Sequence, residues 1–355
     1  MDQSTYRELV GGSGGGLGKK ALRGMLRLVS CGYRIAIAAR NLGYDTGVLR
    51  SHRLRVPVIS VGNVTTGGTG KTPLVIWLCR MLESKHRKAA ILTRGYKARS
   101  GTAGDEPAML ARACPQTRVI VDADRVRGGA RAIDEYEADV LVMDDGFQHR
   151  RLKRDLDIVA IDATRPFGYD RVLPAGLLRE PKEAIRRAHA VVITRYDNVT
   201  IGEIDRLVAE IQNINPNAAI AKARHSHPCA RTISRVDIAM EDVRAKKVFA
   251  FCGIGNPEAF LNRLRDDGID IAGSMIYNDH HEFIASDIDD ICNAARKAQA
   301  ELILSTEKDW VKTALFILEK KDITFAYMVL ELEFSEGTAK IERLVDRILE
   351  QNPPS

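Results

Sequence analysis

Glycines, a lysine and hydroxyl side chains crowd into Thr65-Thr66-Gly67-Gly68-Thr69-Gly70-Lys71-Thr72, directly after an apolar run that begins at Val58. Glycine-rich backbone can curl its N–H groups around phosphate oxygens, and a helix opening at Lys71 adds the positive end of its dipole. In that arrangement Lys71 reaches the β- and γ-phosphates and the Thr72 hydroxyl ligates Mg²⁺. The segment predicts a nucleoside triphosphate site and leaves the phosphate acceptor open. Thr65 stands where the G-x-x-x-x-G-K-[ST] pattern begins with glycine. A second glycine-rich stretch, Gly14–Lys20, follows no apolar strand and has Lys20 in the metal-binding place, so it reads as a flexible leader.

Carboxylates supply the next candidates. Val140-Leu141-Val142-Met143 ends in Asp144-Asp145, which puts two acids at a strand end, where a hard cation beside the loop threonine takes oxygen ligands. Asp105 follows a glycine-rich turn and precedes Pro107. It either caps a helix or accepts a proton from a hydroxyl acceptor. Asn278-Asp279-His280-His281-Glu282-Phe283 is a dense polar knot: a solvated turn, or a place where a histidine assists a catalytic carboxylate.

The elements that must position these residues follow from apolar periodicity. Short continuous apolar runs at 58–61, 89–93, 119–121, 140–143, 158–161, 191–194 and 218–223 alternate with helical stretches such as 71–82, 124–136 and 201–211. This pattern predicts an α/β fold of the P-loop NTPase type, a mostly parallel sheet with helices on both faces. A polar connector at 224–245 precedes a smaller α/β series from Lys247, which closes with an extended run at 323–332 and an amphipathic helix at 337–349. The expected organisation is a leader at 1–55, a kinase core at 56–224, and a second domain with the terminal helix at 225–355.

Charge is uneven along the 355 residues. The first 55 carry ten basic and three acidic residues, while the whole chain is only +6. From Leu17 to Leu42, Lys and Arg alternate with apolar residues, and no charge-free run approaches the ~20 residues that span a bilayer. The reading is a basic amphipathic helix, lying on an anionic membrane or packed on the core with a solvated basic face. No aromatic stacking platform interleaves the basic residues, so no nucleic-acid partner is expected. The six cysteines are scattered, which suits reduced thiols, and His225/His227/Cys229 lack a second ligand pair for zinc.

Several motifs in matching order give the chain a family likeness. They are Ser60-Val61-Gly62-Asn63 through Gly70-Lys71-Thr72-Pro73, Thr93-Arg94-Gly95-Tyr96, Gly104-Asp105-Glu106-Pro107 and Asp144-Asp145-Gly146-Phe147-Gln148-His149. Leu173-Pro174-Ala175-Gly176-Leu177-Leu178-Arg179-Glu180-Pro181, Gly253-Ile254-Gly255-Asn256-Pro257, Asp279-His280-His281 and Thr306-Glu307-Lys308-Asp309 follow. From Val56 to about Lys312 the chain resembles the tetraacyldisaccharide 4′-kinases, the lipid A kinases of Gram-negative bacteria. In that family the first loop position tolerates Ser or Thr, which accommodates Thr65.

The resemblance implies transfer of the γ-phosphate of ATP, with Mg²⁺, to the 4′-hydroxyl of a tetraacylated glucosamine disaccharide 1-phosphate. It implies work at the cytoplasmic face of the inner membrane as a peripheral protein, with no obligate protein partner expected. Carried over residue by residue, it makes Asp105 the base and His280 its partner. Thr72, Asp144, Asp145 and Glu180 become metal ligands, and Thr65 to Thr72, Gln148 and Arg179 line the nucleotide phosphates. The alternative is a membrane-associated switch ATPase resembling ParA and MinD. Thr66 stands where those proteins carry their signature lysine.

Overall fold

The computed structural model describes residues 6, 9–12, 16–95, 105–279, 281–318, 320 and 322–352. Its contacts divide the chain into two compact units, one of residues 1–97, 110–225 and 332–355 and the other of 98–109 and 226–331.

In the first unit, α1 (Leu17–Asp45) precedes β1 (Val58–Asn63), α2 (Lys71–Ser84), β2 (Ala89–Thr93) and α3 (Asp105–Ala113), whose first turn groups with the second unit. Then come β3 (Arg118–Val121), α4 (Arg125–Tyr136), β4 (Val140–Asp144), β5 (Leu156–Asp162), β6 (Ala190–Thr194), α5 (Ile201–Ile214) and β7 (Ala219–Ser226). β1 sits between β5 and β4, with Val61 opposite both Ile158 and Asp144 in parallel register. Alternate residues of one strand feed opposite cores, as the two-residue period of a strand requires. Ile158 and Ala160 of β5 pack in the core with Leu74, Leu78 and Leu82 of α2, while Val159 and Ile161 pack with Ile204, Leu207 and Ile211 of α5. Burial on both faces is why these strands read as unbroken apolar runs. Local chemistry sets the helix starts. Asp124 caps α4 by accepting from Val126 N (3.1 Å), and Thr200 and Glu203 form a capping box on α5.

The second unit holds β8 (Cys229–Thr232), β9 (Asp237–Ala239), α6 (Met240–Arg244), β10 (Lys247–Cys252), α7 (Pro257–Asp266) and β11 (Asp270–Ile276). α8 (Ala285–Lys297), β12 (Leu302–Thr306), α9 (Glu307–Ile317) and β13 (Thr324–Met328) complete it. Its sheet runs β11-β10-β12-β13-β8-β9, with the first four strands parallel and the last two added antiparallel. The expected polar connector at 224–245 is therefore largely structured, since it contributes β8, β9 and α6.

The chain's last elements depart from the expected organisation. The extended run at 323–332 is split after Met328. β13 stays in the second sheet, whereas β14 (Glu331–Glu336) lies beside β7 in the eight-stranded first sheet, ordered β14-β7-β6-β5-β1-β4-β2-β3. α10 (Thr338–Gln351) follows it there and buries Ile341, Val345, Ile348 and Leu349 in the core of α2. The 225–355 boundary thus fails at its C-terminal end. The physical reason is that α2 and the sheet leave an apolar face that the amphipathic α10 covers, and β7 gains a neighbour in place of an open edge.

The 29-residue α1 has two faces. Ser30 and Ile37 are buried, with Leu26, Asn41 and Tyr44 half-buried on the same side. Ala21, Met25, Leu28, Gly32, Ile35, Ala39 and Leu42, spaced alternately by four and three residues, form an outward stripe that is exposed throughout. Leu28 is 77% exposed and Ile35 69%.

Ile341 is fully buried against α2, so Ile341→Ala should cost about 2–5 kcal/mol in the first unit. Trp77 of α2 lies 4.7 Å from the Phe334 ring of β14 and reports on this contact. In a Trp310→Phe background, the denaturant midpoint of Trp77 fluorescence should fall; an unmoved midpoint would separate α10 from this core.

Candidate phosphate and metal site

The glycine loop leaves β1 at the end where Asp144 closes β4, so loop and carboxylates meet because two parallel neighbours end together. Gly62 makes the close approach there. A Cβ on it would fall 2.5 Å from the Phe147 Cβ and 2.7 Å from the Phe147 N, inside the turn that follows Asp145. Gly70, at φ +80°, takes the left-handed conformation just before α2, and a side chain there would also press on Thr194 and His225.

Hydrogen bonds preset the loop. Asn63 Nδ2 donates to Thr69 Oγ1 (2.9 Å), Thr194 Oγ1 donates to Thr69 O (3.0 Å), and Gln148 Nε2 donates to Asn63 O (2.8 Å). Thr66 N donates to Leu177 O (2.8 Å) and Arg179 N to Val64 O (2.7 Å), which stitches the loop to the segment carrying Arg179 and Glu180. Thr65 is buried and bridges Leu178. Lys71 and Thr72 open α2, and Leu74 N already donates to Gly70 O (3.2 Å).

Asp145 is the charge centre. It sits just past β4 at φ +52°, with the Lys71 Nζ 3.5 Å away and the Arg179 Nη1 at 2.7 Å. Burial opposes its ionisation, but the Lys71 ammonium and the Arg179 guanidinium outweigh that and hold its carboxyl below the usual range. Asp144, almost fully buried, accepts from Thr93 Oγ1 (3.2 Å) at the end of β2. Glu180 is 1% exposed; its Oε2 accepts from Arg187 Nη2 (2.8 Å) and Asn41 Nδ2 (3.1 Å), while its buried Oε1 has no hydrogen-bond partner among the described residues.

Thr72, Asp144, Asp145 and Glu180 offer the hard oxygen donors that Mg²⁺ takes. No group of three or more His, Cys, Asp or Glu among the described residues is placed to hold an ion, so the structure does not bring Asp144, Asp145 and Glu180 together as one ligand set. Mg²⁺ commonly binds through one or two carboxylates, with phosphate oxygens and water completing its shell. Thr65 to Thr72, Asp144, Asp145, Gln148, Arg179 and Glu180 all lie in the first unit.

Three residues of α1 reach into this group, and sequence reasoning missed them. Tyr33 OH donates to Arg179 O (3.1 Å), Arg40 Nη2 to Gln148 O (2.7 Å), and Asn41 to Glu180 as above. Nothing in the leader's alternation of charge and apolar side chains distinguishes them, because their targets are mostly backbone carbonyls. Arg187 was also missed, since it lies outside every motif; Thr93 opens a motif, but its bond to Asp144 was not foreseen.

In the second unit, the remaining motifs converge at the C-terminal ends of β10, β11 and β12. Buried Asp309 accepts from Gly253 N (2.9 Å) and from Thr306 Oγ1 (2.7 Å), joining two motifs that are distant in sequence. Lys308 Nζ pairs with Asp279 (3.1 Å). His281 Nε2 lies 2.9 Å from Asp287 Oδ2 and its ring stacks on Tyr277 at 4.6 Å, so packing holds His281 and the buried Phe283 while Asn278, Asp279 and Glu282 stay exposed, as in a solvated turn. Asp105 is the first residue of α3 and groups with this unit, contrary to its expected place in the 56–224 core. His280 lies outside the described residues, between Asp279 and His281.

The profile of the tetraacyldisaccharide-1-P 4′-kinase family matches residues 22–350. A tetraacyldisaccharide 4′-kinase of Syntrophus aciditrophicus is 38% identical over 335 residues, covering 87% of this chain and 88% of its own. One from Geobacter metallireducens is 34% identical and covers 92% and 98%. Among solved structures, LpxK from Aquifex aeolicus in complex with ATP superposes with a TM-score of 0.74 at 31% identity, over 92% of this chain and 99% of that one.

His149, four residues beyond Asp145, is pushed down to about 4 by burial, with Arg125 and Arg154 adding repulsion. A histidine depressed from 6.5 is neutral in the folded protein while the unfolded chain protonates, so its contribution to stability is lost as pH falls from 6.5 towards 4. Imidazole NMR should find one ring titrating near the lower value and absent in His149→Gln. A His149 ring titrating near 6.5 would contradict its burial.

Proposed function

The chain belongs to the tetraacyldisaccharide-1-P 4′-kinase family, and from that premise we propose how its residues divide the reaction. The reaction moves the γ-phosphate of ATP, with Mg²⁺, to the 4′-hydroxyl of a tetraacylated glucosamine disaccharide 1-phosphate, giving lipid IVA. The family match spans both units, and the switch-ATPase alternative is not favoured.

Phosphoryl transfer asks the protein for positioning and charge neutralisation more than for covalent chemistry. The observation that carries the reading is the clamp of Lys71 and Arg179 on Asp145 beside a preset glycine loop. Loop amides and Lys71 receive the β- and γ-phosphates, and Arg179 meets charge that develops during transfer. Thr72 and Asp144 would hold the metal from the loop and strand sides, with Asp145 or the unpartnered Oε1 of Glu180 offering a further oxygen. A Mg²⁺ held there would supply neutralisation of charge on the β- and γ-phosphate oxygens. Asp105 takes the proton of the 4′-hydroxyl, and His280 orients and supports that carboxylate.

The acceptor is a lipid, so the enzyme must meet a bilayer. Among the described residues no helix is long and apolar enough to cross one. The exposed Met25-Leu28-Ile35-Leu42 stripe, flanked by Arg27 and Arg34, supports peripheral attachment through α1 at the cytoplasmic face of the inner membrane.

Asp105→Ala and His280→Ala should each lower kcat by about 10²–10⁴ while ATP affinity is kept. Near-normal turnover of either variant removes that residue from the mechanism. Leu28→Glu/Ile35→Glu should release the protein from vesicles containing anionic lipid, since each change puts a charge in the acyl layer. Unchanged co-sedimentation would place the attachment surface elsewhere.

A further inference from the structure

A cavity of about 330 Å³ opens between α1 and the segment 170–183, apart from the glycine loop. Its floor is apolar and buried, formed by Val172, Ala175 and Leu178, and Ser30 ties α1 to it by donating to Val172 O (2.8 Å). Three exposed guanidinium groups face the opening: Arg27 and Arg34, two turns apart on α1, and Arg171 from the floor segment. None of the three makes a hydrogen bond or ion pair among the described residues. Two acids, Asp170 and Glu183, also line the cavity, but Lys182 lies 3.8 Å from Asp170 and is paired with Glu210 as well. An apolar floor under three uncommitted cations fits a ligand with one anionic group and an alkyl chain.

We propose that this cavity binds an anionic phospholipid of the bilayer, distinct from the lipid being phosphorylated. The phosphate lies among Arg27, Arg34 and Arg171, and the first part of one acyl chain lies along Val172, Ala175 and Leu178. The site rests on the reading of α1 as the membrane-facing helix: the Met25-Leu28-Ile35 stripe sits in the acyl layer, and the arginines beside it reach headgroup depth. Size separates the two lipids. About 330 Å³ is at the small end of the ~300–1,000 Å³ range of ligand pockets, too small for two sugars and four acyl chains. The floor segment continues into Arg179 and Glu180, so a bound phospholipid would clamp α1 to the strip of chain that braces the phosphate site.

The test is a titration of the full-length protein with monomeric dihexanoylphosphatidylglycerol, kept below its micelle concentration so that no bilayer is required. Saturable binding is expected, unaffected by saturating acceptor lipid and not matched by inorganic phosphate or by dihexanoylphosphatidylcholine. Arg34→Gln/Arg171→Gln should weaken it by about tenfold or more. Ala175→Leu should weaken it by filling the floor with no change of charge, and retained ATP binding shows that each variant is folded. Equal binding by either variant, or equally tight binding of inorganic phosphate or of the zwitterionic lipid, overturns the site. Displacement by the acceptor overturns it too, because the cavity would then be an acceptor subsite. Vesicle attachment of the wild-type protein is scored separately. Its persistence without monomer binding sinks this site alone, and its absence beside monomer binding sinks the membrane reading of α1 alone.

Discussion

Two cations and one carboxylate set the terms of the first unit. Lys71 from the start of α2 and Arg179 from the 171–180 segment both converge on Asp145, which is held at φ +52° just beyond β4. Without a counter-charge, an ammonium and a guanidinium that close would repel each other and splay away from the loop. Asp145 holds them ready, and in return they keep it ionised against the cost of burial. On the proposed reading, an incoming triphosphate would meet positive charge already in place, with little reorganisation left to do. Much of the surrounding architecture serves this clamp. The parallel register of β1 and β4 brings loop and carboxylates to one end, and Gly62 lets the turn after Asp145 close against β1.

The same segment that carries Arg179 is braced on its other side by α1. Tyr33, Arg40 and Asn41 hold Arg179, Gln148 and Glu180 from a helix whose outward face is apolar. On the proposed reading of α1 as the membrane-facing helix, these contacts would carry membrane attachment to the residues around Arg179 and Glu180. The second unit follows the same design at smaller scale. Asp309 binds Gly253 and Thr306 together, and His281 is wedged between Tyr277 and Asp287.

The sheet strands were legible because strands buried on both faces leave continuous apolar runs, as at Val58–Val61 and Val140–Met143. The place of the loop after β1 and of Asp144-Asp145 at the end of β4 was legible because an apolar strand run stops there at glycines or at charged residues. The end of the chain was not. Residues 323–332 form one apolar run in sequence, and nothing local shows that Met328 closes one sheet and Glu331 opens a strand of another. β11 escaped notice because its half-exposed alternation, an edge-strand pattern, lacks the solid apolar run used to find the others. The leader's helix was readable from its periodicity, but its contacts with backbone carbonyls were not, since a carbonyl acceptor leaves no mark on residue type. The polar knot at 278–283 read by default as a solvated turn; the packing of His281 within it depends on Tyr277 and Asp287, outside the motif.

The central claim is that the clamp on Asp145 is the donor site for phosphorylating a lipid. The most direct measurement follows label from γ-³²P ATP into an organic-extractable product, using the tetraacylated disaccharide 1-phosphate as acceptor and Asp145→Asn alongside the wild type. The account predicts label in the lipid for the wild type and a loss of about 10²-fold or more in the variant. Label released only as free phosphate, or transfer by Asp145→Asn at the wild-type rate, would contradict it.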